Sequence, residues 1–479
     1  MSNLFATLRA SAGTLEAYGQ VLETVQNNVS NASTPGYAKQ RMDLYGLPFD
    51  PQGGSTGGVR AGKLASSRNE YAEQAVRQQT TGMGYQQQLV DSLSSLQSQF
   101  DITGNQGIPL ALNNLFQSFS AWAASPNDSS ARQTVLDRAA GMAQAFQQAA
   151  AGVHAQLTDA ALQIHQTVDR INQIAGQLAN FNRIAMQGNR SDPGLNAQVH
   201  AALDQLSELA DVNATFEQDG TVSLRLNGDT LLVIGDKPFA ISANLFLPQN
   251  PPPADPNAPA SMQILASDGS DITAKTAGGR LGGLVATHNQ TLPSLIGDAT
   301  QPGDLNRMAK AFAVRVNQLL TSGNISDGPP PVSGIPLFTY DVANDTNVAA
   351  SLMADPTVTA DQLAAIDPGP PDVSNGIALA LAQMASPSQD TDKIDGVSYT
   401  QFYGQLAGRT GSRLSDAQNG LQVQQSLVAQ AKALRQQYSG VSLDEEATIL
   451  IEFQRAYQAN SRFLTVLDQL TQTVIDILK

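Results

Sequence analysis

The sequence predicts a mainly α-helical chain with an inserted β-domain. The expected form is an elongated multi-helix rod whose N- and C-terminal helices pair as an antiparallel coiled coil. Three observations carry this expectation. Apolar residues recur at seven-residue spacing at both ends, a helical pattern runs unbroken from about Ser129 to Gln187, and the period shortens to two near Asp211.

At the C-terminal end Leu443, Leu450, Tyr457, Leu464 and Leu478 are spaced by sevens, with Thr471 as the gap. Phe453, Leu467 and Val474 form the second row, with Asn460 as its polar member. Two such rows make an a/d seam that needs a partner helix. Ser442 and Glu445 stand as in a capping box, and Asp444, Glu445 and Glu446 place negative charge where the helix dipole favours it. The partner lies at the other end, where Leu8, Leu15, Leu22 and Val29 form one row. Leu4, Tyr18 and Val25 form another, with Ser11 as its weak member. The expected division is a terminal domain of 1–45 plus 436–479, a connector at 46–67, and a rod of 68–210 plus 277–435. A β-domain at 211–276 and an irregular surface excursion at 322–375 complete it.

The first helix should end near Asn31, because Pro35 pushes Thr34 out of the helical region. Thr34-Pro35-Gly36-Tyr37 then suits a type II turn. Asn27, Asn28 and Asn31 sit where amides can satisfy the last free helix carbonyls. Residues 42–67, rich in Gly and Pro, read as a connector with little helix. From Arg68 helix returns, with Leu89, Leu93, Leu96 and Phe100 as one stripe, and residues 102–107 break it. Leu110 to Ala124 is a short helix with the only tryptophan, Trp122. Ser125 to Asp128 ends it and caps the next. The long helix that follows shows Val135, Met142, Phe146, Val153, Leu157, Ile164, Ile171 and Leu178 on one face. At roughly 85 Å it is far above ordinary helix length, which is why a rod is expected. Val199, Leu203 and Leu206 mark a shorter helix.

Asp219-Gly220 and Asn227-Gly228 are hairpin turns. Between them Val222, Leu224 and Leu226 alternate with polar residues, a half-buried strand. Leu231 to Ile234 follows, Pro251-Pro252-Pro253 lies in a turn-rich loop, and Met262 to Leu265 returns to the sheet. Helix resumes with Leu305, Met308, Phe312, Val316 and Leu319, and again from Tyr399 to Tyr438 with Leu406, Leu414, Leu421, Val428 and Leu434. Gly440 closes that helix.

Charged residues make up only 14% of the chain, and the net charge is −15. That balance argues against nucleic acid and anionic membrane as partners. The ends are near neutral, which suits close stacking of many copies. Cysteine is absent, so disulfide, zinc–thiolate and thiol-nucleophile chemistry is excluded. No apolar run is long enough to span a membrane, and the N-terminus does not read as a signal peptide. The chain is expected either to stay in the cytoplasm or to leave by a route without a cleaved signal. The four histidines, His154, His165, His200 and His288, read as structural or solvated. No HExxH, GxSxG or Walker loop occurs, so no catalytic, cofactor or metal site is expected.

Residues 27–41, NNVSNASTPGYAKQR, resemble the N-terminal signature of the bacterial flagellar rod, hook and hook-associated axial proteins. Residues 439–462, SGVSLDEEATILIEFQRAYQANSR, resemble their C-terminal signature. The matching positions are Asn27, Asn28, Asn31, Thr34, Pro35, Gly36 and Tyr37, then Asp444, Glu445, Glu446, Gln454, Ala456, Tyr457, Ala459 and Asn460. The stretch 108–187 and GGRLGGLVATHNQTLPSL at 278–295 are similar to the hook-associated branch, whereas rod and hook proteins lack the long helical middle. Residues 196–207 depart from that branch, which usually carries a more charged stretch there.

The resemblance implies a structural, self-assembling adaptor between flagellar hook and filament. Its partners would be further copies of itself, hook protein, the next hook-associated protein or flagellin, and an export chaperone. It would be exported unfolded through the flagellar type III apparatus to the extracellular flagellum. On that reading Leu8, Leu15, Tyr18, Leu22, Val25, Leu443, Leu450, Phe453, Tyr457, Leu464 and Leu467 form the intramolecular seam. Phe5, Val21, Ile451 and Phe463 face neighbouring copies. Another axial protein of rod or hook type, or a secreted helical adhesin or effector, is the alternative. A hydrolase in the β-domain lacks any nucleophile–base constellation.

Overall fold

A computed structural model describes residues 2–50, 55–100, 106–189, 192–247 and 258–477. In order these form α1 Ser2–Ser30, β1 Gln40–Gly46, β2 Phe49–Asp50, β3 Ser55–Thr56, β4 Val59–Ser66, α2 Glu70–Gln97, α3 Gly107–Ala124, α4 Ser129–Ile184 and α5 Pro193–Leu209. The strands β5 Val212–Phe216, β6 Val222–Leu226, β7 Thr230–Ile234, β8 Lys237–Pro238, β9 Ser242–Phe246 and β10 Ser261–Leu265 follow. Then come α6 Gly279–Ala286, α7 Pro293–Ile296, α8 Asp304–Ser322, β11 Asn324–Ser326, β12 Val332–Ser333, β13 Phe338–Thr339, α9 Val348–Ser351, β14 Met353–Ala354 and α10 Gly376–Gln383. Two long helices, α11 Tyr399–Ser439 and α12 Leu443–Ile477, end the chain. The fold is mainly α with β-structure inserted between α5 and α6. Leu478, part of the expected seam, and the Pro251–Pro253 loop lie outside the described residues.

The chain divides into two compact units, one of residues 1–83, 171–239 and 424–479, the other of 84–170 and 240–423. The unit that holds both termini is larger than the expected 1–45 plus 436–479. It also takes in the paired strands that follow α1, the start of α2, the end of α4, α5 and a four-stranded sheet. Residues 46–67, expected as a connector, are mostly paired strand. β1 and β4 run antiparallel from Gln40 opposite Ser66 to Gly46 opposite Val59, with an irregularity between Met42 and Leu44. Gly/Pro content had pointed to turns and hidden the pairing.

The expected single β-domain at 211–276 is two sheets. β5, β6, β7 and β8 form one antiparallel sheet in that order. Its Asn227-Gly228 turn has both φ positive, as a two-residue hairpin requires. Val222, Leu224 and Leu226 are buried, as the alternation predicts. The buried amide of Asn182 ties this sheet to the end of α4, accepting from Val222 N at 2.8 Å and donating to Val222 O at 2.8 Å. Met262 to Leu265 does not return to that sheet. β10 pairs with β9 in a separate hairpin, which Asn289 holds through Met262 N at 2.7 Å and Met262 O at 2.8 Å.

In the second unit the predicted stripes converge on one core. Leu93, Leu96, Phe119, Trp122, Val135, Met142, Phe146, Val153, Leu305, Met308, Phe312, Val316 and Leu406 are buried together. Phe312 is its aromatic centre, with rings of Phe116, Phe338 and Tyr399 edge-on at 6.2, 5.8 and 5.4 Å. Residues 322–375 are irregular, as expected, yet they are no surface excursion. Leu337, Phe338, Val348, Leu352 and Leu363 are buried in the core. Asn317 of α8 fixes the segment by accepting from Leu337 N and Phe338 N at 2.9 and 2.8 Å and donating to Phe338 O at 2.7 Å. Among the described residues no helix is long and apolar enough to cross a membrane.

Candidate functional site

The two chain ends meet in the first unit. α1 and α12 run antiparallel. Tyr18 and Phe453 meet edge-on at 5.6 Å, and Asn460 Nδ2 donates to Ser11 O at 2.9 Å. Nearer the C-terminal end of α1, Asn28 Nδ2 donates to Glu446 Oε2 at 3.0 Å. Val25 and Leu467 are buried in this seam, and Leu8, Leu15, Tyr18, Leu22, Leu450, Phe453 and Leu464 are half-buried. Leu443, 55% exposed, and Tyr457, 40% exposed, are the least covered of the expected seam positions. Glu446, Phe453, Asn460, Leu467 and Thr471 lie on the covered face. Leu443, at the first turn, precedes the point where α1 ends.

Of the positions expected to face neighbours, Phe5, Ile451 and Phe463 are 52%, 51% and 49% exposed, whereas Val21 is buried. The reason is a second partner for α1. The β1–β4 strands cover another side of it, with Val59 N donating to Thr14 Oγ1 at 3.2 Å. Thr14, Ala17, Val21 and Thr24 are therefore buried, while Ser11 and Asn28 are buried where α1 also meets α12. Sequence reasoning missed further open positions. On α12 Val466, Leu470 and Ile477 continue an exposed apolar stripe from Phe463, and Val474, expected in the covered row with Phe453 and Leu467, is 36% exposed and joins it. Near the start of the chain Tyr45, Leu47, Phe49 and Leu64 are exposed. Spacing alone could have found the α12 row.

The signature residues build a buried polar clasp. Asn28 Oδ1 accepts from Gln40 N at 2.9 Å and from Tyr37 Oη at 2.9 Å, while its Nδ2 donates to Gln40 O at 2.8 Å as well as to Glu446. Contrary to the expectation, Asn28 does not cap its own helix; it joins three segments. Lys39 Nζ lies 3.1 Å from Glu446 Oε1 and 3.0 Å from Glu445 Oε2. Only half of the expected capping box forms. Glu445 N donates to Ser442 Oγ at 3.4 Å, but the Glu445 carboxylate turns to Lys39. Asn27 and Asn31 stay local, with Asn31 Nδ2 donating to Asn27 O and Oδ1 at 3.0 and 2.7 Å and Thr34 Oγ1 to Asn31 Oδ1 at 3.1 Å. Gln454 and Ala459 are exposed and Ala456 is half-buried.

Burial and then the Glu446 charge push the Tyr37 phenol up to about 12, so it stays a donor to Asn28. Burial alone would lower Lys39, but the Glu445 and Glu446 carboxylates outweigh it and hold the ammonium above its ordinary value.

The expected turn forms, with Tyr37 N donating to Thr34 O at 3.1 Å and Gly36 at φ +74°. It presses on α5 so closely that a Cβ at Gly36 would stand 2.2 Å from Ala197 O. Arg68 locks the contact by donating to Gly36 O and pairing with buried Glu73. Glu73 in turn meets Arg435 at 3.1 Å, and Arg435 meets Asp204 at 2.8 Å.

His200 lies beside this network, fully buried and stacked on Phe216 at 5.0 Å with an interplanar angle of 9°. Neither ring nitrogen has a hydrogen bond. Burial, then Arg68, Arg77 and Arg435, lower its pKa to about 2. An unfolded chain takes up that proton near pH 6.5. Between these values the unfolded state binds more protons, so the stabilisation is full above pH 6.5 and is lost as pH falls toward 2. Urea titrations from pH 7.5 to pH 4 should show stability falling by up to about 1.4 kcal/mol per pH unit on account of this one group. His200→Leu should flatten that slope, and equal slopes in both chains would exclude the assignment.

These features, two antiparallel terminal helices joined by their own signature residues, define a flagellar axial protein. Residues 433–477 match the family model described as flagellar basal body rod FlgEFG protein, C-terminal. Residues 93–338 match that of the flagellar hook-associated protein FlgK helical domain, and the chain belongs to this hook-associated family of structural flagellar components. It is 25% identical to flagellar hook-associated protein 1 of Bacillus subtilis (strain 168) over 99% of both chains. It is 21% identical to that of Escherichia coli (strain K12) over 97% of this chain and 98% of the other. The flagellar hook junction protein FlgK from Burkholderia pseudomallei superposes with a TM-score of 0.63 at 16% identity. The match covers 77% of this chain and all of that one, and shows a shared fold.

Proposed function

We propose that this chain is a self-assembling adaptor that joins the flagellar hook to the filament. One observation carries the assembly step: a single copy leaves the α12 row of Phe463, Val466, Leu470, Val474 and Ile477 uncovered. An apolar stripe of that length in water is stabilised by a second helix, and α1 already covers the adjacent face of α12. Phe5, Ile451 and the exposed Tyr45, Leu47 and Phe49 extend the apolar surface available to neighbours. Copies of this chain fill it laterally, with hook protein on one side and the next hook-associated protein or flagellin on the other. The near-neutral ends let copies approach. An export chaperone covers the same surface before assembly, and the chain reaches the extracellular flagellum. No catalytic role is assigned.

Phe463→Asp combined with Leu470→Asp tests this directly. Both positions are about half exposed (49% and 50%), so the isolated chain should keep its helical circular dichroism and its unfolding midpoint. Cells carrying the variant should lose filaments and release flagellin into the medium. Filaments attached at the normal number would sink the proposal.

A further inference from the structure

We propose that the free edge of β5 and the facing side of α2 form a groove that takes an extended segment of another polypeptide as an added strand. The segment carries a carboxylate side chain toward Arg77. β5 is the end strand of its sheet and pairs only with β6. Just beyond its two ends, Asn227 N donates to Asp211 O and Glu217 N to Thr221 O, each at 2.9 Å. In an antiparallel pair such residues alternate, so the odd-numbered positions turn their backbone groups to β6. The N–H and C=O groups of Val212, Ala214 and Phe216 therefore face the other way.

A cavity of about 550 Å³ lies along that strand, walled by Asp211 to Phe216 and by one face of α2 from Glu70 to Thr81. The volume is within the range of ligand sites. A bare edge of this kind is ordinarily blunted or covered, and the typical occupant is a strand that supplies the missing ladder. The helix wall offers Gln74 and Gln78, whose amides suit peptide groups, and Arg77. Arg77 is buried, its Nη1 has no hydrogen bond, and its nearest carboxylate, Glu70, stands 4.0 Å from Nη2. An entering carboxylate supplies the acceptor that this guanidinium lacks, and charge-assisted bonds of this type are about twice as strong as neutral ones.

The full-length chain is titrated with a synthetic peptide of alternating threonine and valine, with one central glutamate and a lysine at each end. Calorimetry reads affinity, and hydrogen–deuterium exchange reads residues 211–217. Exchange there should slow by about ten-fold at saturation. Ala214→Pro removes a donor from the groove side while leaving the β5–β6 ladder intact, and should weaken binding by roughly ten-fold. Replacing the peptide's glutamate by glutamine should weaken binding several-fold to the parent chain and leave the Arg77→Gln chain unaffected, which confirms the carboxylate contact. Absence of protection at millimolar peptide overturns the groove, as does an Ala214→Pro chain that binds like the parent. Equal affinity of the two peptides for the parent chain overturns the role of Arg77.

Discussion

Gly36→Ala is expected to destabilise the first unit by on the order of 3–5 kcal/mol, and two independent costs make up that figure. At φ +74° an L side chain is strained, which costs about 1–2 kcal/mol. The added Cβ would also lie 2.2 Å from Ala197 O and 2.8 Å from Ala201 N. Both are backbone atoms of α5, so no side chain can swing aside. Relief requires the turn to withdraw from α5, and withdrawal breaks the bond from Arg68 to Gly36 O. Arg68 would then keep Glu73 and Asn196 but lose the contact that holds the turn. Urea unfolding followed by exchange of the 27–41 amides measures the loss. Gly13→Ala is the control, because it lies inside α1 with nothing within 4 Å of its Cβ. It should stabilise the chain by about 0.5–1 kcal/mol, the usual gain for Gly to Ala within a helix. Similar effects from the two substitutions would remove the steric argument.

How much of this could be read from sequence depends on the range of the interaction. The α1 and α12 seams were legible because helical periodicity is local, and residues seven apart share a face whatever they later meet. The Asn227-Gly228 hairpin was legible for the same reason. What each face would meet was not. Val21 looked free because a seam accounts for only one partner, while its cover comes from strands that Gly and Pro had disguised. Met262 to Leu265 reads as a strand in isolation, but nothing local says whether it joins β5 to β8 or pairs with Ser242–Phe246. The short elements at 322–375 and α10 carry too little periodicity to stand out, so their buried Leu337, Phe338 and Leu381 escaped notice. The clasp is the instructive case. Asn28 and Glu446 were both singled out as signature residues, yet each was given a local capping role. Their bond spans 418 positions in the chain, and no spacing rule reports a contact at that distance.

Asn28→Ala should cost roughly 3 kcal/mol or more, because the buried amide makes four hydrogen bonds, to Gln40 N, Gln40 O, Tyr37 Oη and Glu446 Oε2. Asn28 and Glu446 are each 1% exposed, and water cannot replace the lost bonds. Removing the amide strips Gln40 of partners on both N–H and C=O, strips Tyr37 of its 2.9 Å acceptor, and leaves Glu446 Oε2 without its 3.0 Å donor. A buried group left unsatisfied costs about 1–3 kcal/mol, more for a charge. Glu446 would still have Lys39 at 3.1 Å, which limits the loss on its side. Glu445→Gln is the matched comparison. That carboxylate is 68% exposed although it too reaches Lys39 at 3.0 Å, so its loss should cost no more than about 1 kcal/mol. A double-mutant cycle of Asn28→Ala with Glu446→Gln isolates the pair. A coupling of about 1–3 kcal/mol is expected for groups in one hydrogen-bonded network. Additive losses would mean that the amide acts only through Gln40 and Tyr37, and that its bond to Glu446 does not help to hold the two chain ends together.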